Sequence, residues 1–143
     1  MTLYGKLKVD CHRILKDSLT KQNIPLIWLR LYDPYGPGDK PEWFLPFIIR
    51  SALMDHSPDL TECTQIWDYI YIDDITKSIG QLVQNTIGHH GVYNLSTGEP
   101  VSLRTVVDLV FKRINPRTAV PRFGAKKFRD DQQFQVVGSS KLL

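Results

Sequence analysis

The chain has 143 residues and a formal net charge of +3, with 42% hydrophobic and 23% charged residues. These values are typical of one folded domain with a sizeable core, and they exclude a disordered chain. The charge is mild and the basic residues form no run, which argues against nucleic-acid binding, and no apolar run approaches the roughly 20 residues that span a bilayer.

The cysteines indicate a reducing compartment. Cys11 and Cys63 are too few and too far apart for a disulfide framework or a zinc site. His89 and His90 lie in a Gly-His-His-Gly turn without further ligands at metal spacing, so a surface turn is favoured over a metal site. The first residues lack the apolar core of a signal peptide. We therefore expect a cytoplasmic protein without a metal ion and without a membrane segment.

The first predicted element is an amphipathic helix over residues 3–22. Its apolar stripe, which we expect to cover a sheet, consists of Leu7, Cys11, Ile14, Leu15 and Leu19. Tyr4 and Lys8 are four residues apart and therefore share one face of this helix. An ammonium group beside the phenol favours its ionised form, so this pair suits general acid–base chemistry on a carbonyl or alcohol. The spacing alone also fits a solvated, lysine-rich helix face.

The remaining elements alternate between strands and helices. Strands are predicted at residues 26–29, 69–72, 92–95 and 134–137, and helices at residues 43–54, after Asp73–Asp74 and after Ser102. The first strand is fully apolar, as in a buried parallel sheet, and a turn-rich loop follows it at residues 32–39. Asp73, Asp74 and Ser102 offer N-cap chemistry to the helices that follow them. The alternation favours an α/β fold.

Four motifs in this order and spacing resemble one family. They are Tyr4-x-x-x-Lys8, the segment 29–38 with its Tyr-Gly-Pro-Gly, the Trp-Asp-Tyr segment 67–74, and the segment 91–98 with its Tyr-Asn-Leu. The chain resembles the C-terminal half of an extended short-chain dehydrogenase/reductase of the NAD-dependent nucleotide-sugar epimerase/dehydratase group. The resemblance runs from Tyr4 to about Lys141. Segments 60–65 and 123–129 look most like 4-ketoreductases and epimerases that act on deoxysugar precursors of surface polysaccharides.

The resemblance implies a role for each matching residue on the cofactor side. Tyr4 would move a proton at the sugar C4 oxygen while NAD or NADP exchanges a hydride. Lys8 would hold the nicotinamide ribose, and Tyr32 would also belong to the cofactor site. The glycine-rich turn that binds the cofactor pyrophosphate in this family is missing, because none of the nine glycines forms Gly-x-x-Gly-x-x-Gly after a strand.

Three residues fall at substrate positions of the family. Arg129 resembles the late arginine that grips the nucleotide diphosphate, a role that suits the fork of a guanidinium, although a solvated tail charge is the alternative. Asp33 stands where the family usually has Asn, and an aspartate repels a diphosphate unless it is protonated or turned away. Trp67 stands where the family usually has Arg; it could stack on a base, but packing is favoured.

The implied fold is the C-terminal part of a Rossmann-type parallel sheet plus a small substrate-binding lobe, without the glycine-rich N-terminal half. We expect a single domain over 1–143, with the end of the sheet and a substrate loop in 1–57 and the lobe, with interleaved last strands, in 58–143. The chain would be a fragment of an NAD(P)-dependent nucleotide-sugar epimerase, dehydratase or reductase. The alternative is a catalytically silent remnant or binding module, and a third hypothesis has a second polypeptide completing the fold. In the family the helix at 3–22 lies at a two-fold interface, which implies a homodimer.

Overall fold

The computed structural model describes residues 2–84 and 90–139. The helices are α1 (Leu3–Lys21), α2 (Phe44–Leu53), α3 (Ile72–Gln84) and α4 (Leu103–Ile114). The strands are β1 (Ile27–Leu31), β2 (Pro34–Tyr35), β3 (Ile66–Trp67), β4 (Ile70–Tyr71), β5 (Gly91–Leu95), β6 (Val101–Ser102) and β7 (Gln135–Val136). Within these ranges no helix is both long and apolar enough to cross a membrane.

The strands form three small sheets in which parallel pairing dominates. β1 pairs in parallel with β5, in a register that runs from Ile27 opposite Gly91 to Leu31 opposite Leu95. β2 pairs in parallel with β4, and β3 lies between antiparallel β6 and parallel β7. Parallel pairs joined through helices are the pattern of α/β folds, so the predicted fold class is confirmed.

The main core lies between α2 and α4. Ile48 of α2 and Val107 of α4 are fully buried at its centre. The cluster is completed by Ala52, Leu60, Cys63, Leu103, Phe111 and Ala119. As predicted, Ser102 caps α4, because its hydroxyl accepts a hydrogen bond from the backbone N–H of Thr105 at 3.0 Å. Local sequence signals therefore position the helix that carries half of this core.

The predicted apolar stripe of α1 is mostly uncovered. Of its five residues only Leu19 is half-buried, whereas Ile14 is 63% exposed, and no residue of the helix is fully buried. The half-buried residues of the helix are Gly5, His12 and Leu19, and the ring of His12 lies 4.8 Å from that of Trp28 on β1. These positions are seven residues apart, or two helical turns, so they form one line along the helix. Leu19 belongs to the predicted stripe, whereas Gly5 and His12 are not part of it, so the hydrophobic pattern missed these two.

Short elements account for the other differences. β2 lies inside the predicted loop at 32–39, and β3 precedes the predicted strand, because two-residue strands are too short for periodicity to reveal. Helix α3 begins at Ile72, so Asp73 and Asp74 lie in its first turn rather than at the N-cap. Carboxylates there still interact favourably with the helix dipole.

Asp68 connects the segment between β3 and β4 to the loop after β5. Its side chain is fully buried. Oδ1 accepts hydrogen bonds from the backbone N–H and the hydroxyl of Thr97 at 2.8 and 2.6 Å, and Oδ2 accepts one from the Gly98 N–H at 2.9 Å. Three donors on one buried carboxylate compensate for its desolvation.

We expect Asp68→Asn to lower the free energy of unfolding by about 2–3 kcal/mol, because the amide loses charge-assisted bonds and turns its NH₂ group toward a backbone donor. Urea denaturation followed by circular dichroism measures this change. The matched control is Asp17→Asn on the exposed face of α1, where we expect less than about 0.5 kcal/mol. Equal effects of the two substitutions would contradict the structural role of Asp68.

Candidate functional site

Tyr4 and Lys8 lie on one face of α1 beside an open groove. The Lys8 Nζ atom is 5.4 Å from the centre of the Tyr4 ring, as their spacing predicts. The groove has a volume of about 400 Å³; Tyr4, Lys8, Val9 and His12 of α1 form one wall, and residues 28–31 of β1 form the other. Tyr4 is 70% exposed, so its hydroxyl is available to a ligand in the groove.

Tyr32 does not line this groove, although it directly follows the β1 residues that do. Its backbone N–H donates to the carbonyl of Leu95 at 3.1 Å and extends the pairing of β1 with β5 by one residue. Its ring is close to Gly138, where an added Cβ would lie 3.0 Å from the ring carbon Cδ2. The structure therefore places Tyr32 at the margin of the groove, packed against the C-terminal segment.

A second cavity of about 220 Å³ begins at the carboxyl end of β1. Asp33, Trp67 and Tyr69 all line it. The Asp33 Oδ2, Trp67 Nε1 and Tyr69 hydroxyl atoms are buried and have no hydrogen-bond partner among the described residues. Asp33 also has a φ angle of +30°, a conformation that few residues other than glycine adopt. We call this the acidic aromatic cavity.

Burial controls the ionisation of this cavity. It raises the pKa of Asp33 to about 6, and the nearby carboxylate of Asp39 adds to the increase. Burial likewise raises the pKa of Tyr69, and the charge of Asp33 contributes. The Oδ2 atom of Asp39 accepts a hydrogen bond from the Gly36 N–H at 3.1 Å, whereas no cationic side chain lines the cavity among the described residues.

A third cavity, of about 360 Å³, contains Arg129. Lys126 and Lys127 line it as well, and we call it the basic cavity. Arg129 is largely exposed, and its Nε atom lies 3.8 Å from a carboxylate oxygen of Asp131. Trp67 lines both the basic and the acidic aromatic cavity, so the two adjoin.

The structure thus places the predicted site residues in two separate groups. Tyr4 and Lys8 share the groove, while Trp67 shares one cavity with Asp33 and the other with Arg129. The sequence analysis missed His12, Tyr69, Lys126 and Lys127. Tyr69 belongs to the Trp-Asp-Tyr motif, so the sequence does contain a signal for it. Nothing in the spacing of the two lysines marks them as neighbours of Trp67.

The comparisons with known proteins agree on one family. The model of the NAD dependent epimerase/dehydratase family matches residues 1–96. CDP-abequose synthase from Salmonella muenchen is 29% identical over 123 residues, which cover 85% of this chain and 41% of that protein. The dTDP-4-dehydro-6-deoxyglucose reductase of Escherichia coli is 25% identical over 121 residues, covering 82% and 38%. The chain therefore spans about two fifths of the length of these relatives.

Solved structures show the same fold. The UDP-N-acetylglucosamine 4-epimerase from Methanobrevibacter ruminantium M1, in complex with UDP-N-acetylmuramic acid, matches with a TM-score of 0.83 and 18% identity, over 95% of this chain and 44% of that one. Further structures with this fold were determined with NAD, and one with NADPH. At this level of identity the likeness establishes a Rossmann-like fold.

The raised pKa of Asp33 predicts how stability depends on pH. Its folded pKa of about 6 exceeds the ordinary value of 3.8, so the folded chain binds the proton more tightly than the unfolded chain. The stabilisation from protonated Asp33 is fully present below pH 3.8 and is lost as the pH rises through 6. We therefore expect Asp33→Asn to match the wild type at low pH and to become progressively more stable than it up to neutral pH.

Asparagine suits this position because it tolerates a positive φ. Urea denaturation of both proteins across this pH range measures the difference, and Asp17→Asn on exposed α1 is the control that should show no such trend. A difference that does not change with pH would rule out the titration of Asp33 as its cause.

Proposed function

This chain belongs to the NAD dependent epimerase/dehydratase family, and we propose that it contributes the proton-transferring and substrate-binding residues of an NAD(P)-dependent enzyme acting at C4 of a nucleotide-activated deoxysugar. The main support is the Tyr4–Lys8 pair on an open groove at β1. The name of the Escherichia coli relative, a 4-dehydro-6-deoxyglucose reductase, is consistent with chemistry at C4. The outcome is an epimerisation, a dehydration or a reduction, in the synthesis of surface polysaccharides and in the cytoplasm.

In this proposal Tyr4 and Lys8 have separate tasks. The Tyr4 hydroxyl gives a proton to the C4 oxygen or takes one from it, as a general acid–base group must, at hydrogen-bond distance. The ammonium of Lys8 donates hydrogen bonds to the ribose hydroxyls. NAD or NADP, when bound, supplies the hydride exchange.

The groove fits the nicotinamide-ribose end of such a cofactor. Trp28 and Leu29 give it an apolar wall, and Lys8 places a cationic donor at its rim. Tyr32, one residue beyond the wall, is the third cofactor-side residue of the proposal. No glycine-rich turn for the pyrophosphate occurs in the sequence of this chain, so we expect that part of the cofactor to need residues from elsewhere.

The basic cavity is the proposed site of the nucleotide diphosphate. Arg129, Lys126 and Lys127 supply cations, and a guanidinium can bind phosphate oxygens in two places. Trp67 offers its ring to the base or the sugar, and Asp33 faces the sugar side. A silent binding module is the second candidate, favoured by the replacement of the family's usual Asn and Arg by Asp33 and Trp67.

A chimera tests the catalytic part of the proposal. The N-terminal part of the Escherichia coli reductase, up to the region that this chain matches, would be joined to the chain and assayed with dTDP-4-dehydro-6-deoxyglucose by following NAD(P)H absorbance. Because Tyr4 is the proposed acid–base group, we expect Tyr4→Phe to lower kcat by about 10²–10⁴-fold. Lys8→Ala should lower kcat and also weaken cofactor binding.

Tyr93→Phe, on half-buried β5, is the matched control and should retain activity. Full activity of the Tyr4→Phe chimera would show that another group moves the proton. A folded chimera that binds the nucleotide sugar without turnover would favour the binding module.

We also propose that α1 forms a homodimer. Leu7 and Ile14 are exposed on the side of the helix away from β1, Leu15 is exposed beside them, and burial contributes about 25 cal/mol per Å² of such apolar surface. Light scattering behind a sizing column should give a dimeric mass that Ile14→Asp converts to a monomer. Leu109→Asp, on an equally exposed position of α4, should leave the dimer intact. A monomeric wild type at tens of micromolar would exclude this interface.

A further inference from the structure

The acidic aromatic cavity has an unusual composition. It is lined by two carboxylates, those of Asp33 and Asp39, and by no cationic side chain among the described residues. Its aromatic residues are Tyr35, Trp43, Phe44, Trp67 and Tyr69. Aromatic faces and carboxylates both create negative potential, and together they attract an organic cation.

Three residues that line the cavity also carry buried polar atoms. The Oδ2 atom of Asp33 is buried without a partner among the described residues, as are the Tyr69 hydroxyl and the Trp67 indole N–H. Buried polar atoms in folded proteins are nearly always hydrogen-bonded, so three unpartnered ones on residues that line one cavity are unusual. The φ angle of +30° at Asp33 is the kind of backbone strain that concentrates at binding sites.

At neutral pH the charge of Asp33 also favours a cationic ligand. With a pKa of about 6, its carboxylate is ionised at physiological pH even though burial opposes ionisation. Asp39 cannot relieve it, because Asp39 is itself an acid and its Oδ2 is bonded to the Gly36 N–H. A bound ammonium group would supply the missing counter-charge.

The volume of the cavity and the charges of the adjoining cavity limit which ligands it can bind. A cavity of about 220 Å³ is smaller than the 300–1,000 Å³ typical of whole-ligand pockets, so it suits one part of a larger molecule. Across Trp67 lies the basic cavity, whose lining has three cationic side chains and two acids, Glu42 and Asp59, of which Asp59 is paired with Arg122 at 2.7 Å. A ligand that spans both cavities therefore meets an excess of cations at one end and only carboxylates as charged groups at the other.

We propose that the acidic aromatic cavity binds the protonated amino group of a sugar, so that the substrate is a nucleotide-activated amino sugar whose diphosphate lies beside Arg129. The assignment to a substrate rests on the proposed function, whereas the binding of an amino sugar by the cavity does not.

The indole N–H signals of the three tryptophans test this in the complete 143-residue chain. A ¹⁵N-labelled sample at about pH 7.5 is titrated with D-glucosamine hydrochloride, and separately with neutral N-acetyl-D-glucosamine, at constant chloride. We expect saturable shifts of Trp43 and Trp67 with glucosamine, and a dissociation constant at least about tenfold lower than for N-acetylglucosamine. Trp28 contacts His12 in the other groove, with its ring tilted by 48° to that of His12, and serves as the internal control.

The variant Asp33→Asn should abolish the preference for glucosamine, and Asp17→Asn on exposed α1 should retain it. Equal affinities for the two sugars, or a preference that survives Asp33→Asn, overturn the proposal. The chimera assay is independent of this result: a chimera active on a neutral sugar, together with no preference for glucosamine, leaves the proposed function standing while this inference fails. The reverse outcome is also distinct. If the chain prefers glucosamine in a way that depends on Asp33 but the chimera shows no activity, the cavity binds an amine and the proposed enzymatic function fails.

Discussion

The three hydrogen bonds that the buried carboxylate of Asp68 accepts hold both cavities in place. Thr97 and Gly98 donate these bonds from the loop after β5, so Asp68 ties the β1–β5 pair to the segment between β3 and β4. Its neighbours in sequence, Trp67 and Tyr69, are therefore fixed as well. Side chains alternate along an extended segment, so an inward Asp68 turns both aromatic neighbours toward the cavities. The anchoring residue touches no proposed ligand, yet it determines where Trp67 stands between them.

The opposite charges on the two sides of Trp67 come from very different structural contexts. The cations of the basic cavity are on exposed side chains of the C-terminal segment, where water screens them and their presence costs little. Asp33 is half-buried, has a strained backbone and lacks a partner among the described residues. A residue that reduces stability at neutral pH is typical of a binding site, where ligand contacts supply what the fold does not.

Local signals in the sequence predicted much of the fold. Helix α4 was predicted because Ser102 is a strong cap and the helix has a continuous apolar face, and β1 and β5 were predicted because their apolar runs are bounded by turn residues. The inward face of α1 was not predictable, because its partner is the Trp28 ring and the contact uses His12 rather than an aliphatic residue. In the site, too, local features were predictable from the sequence and tertiary contacts were not. The Tyr4–Lys8 spacing is local, whereas Trp67 meets Lys126 only through the tertiary fold.

The described residues leave two surfaces of β1 and α1 uncovered. The two surfaces need different kinds of partner. The strand β1 pairs with β5 on one edge, so its other edge presents unpaired backbone groups that require another strand. The exposed face of α1 is apolar and requires a packed surface rather than hydrogen bonds. His12 on the inner side of α1 contacts Trp28 of β1, so the exposed side of α1 and the free edge of β1 are different surfaces. Pairing of two α1 helices would bury the exposed apolar face of the helix but would leave the backbone groups at the free edge of β1 unpaired. A dimer through α1 and the completion of the sheet are therefore independent of each other.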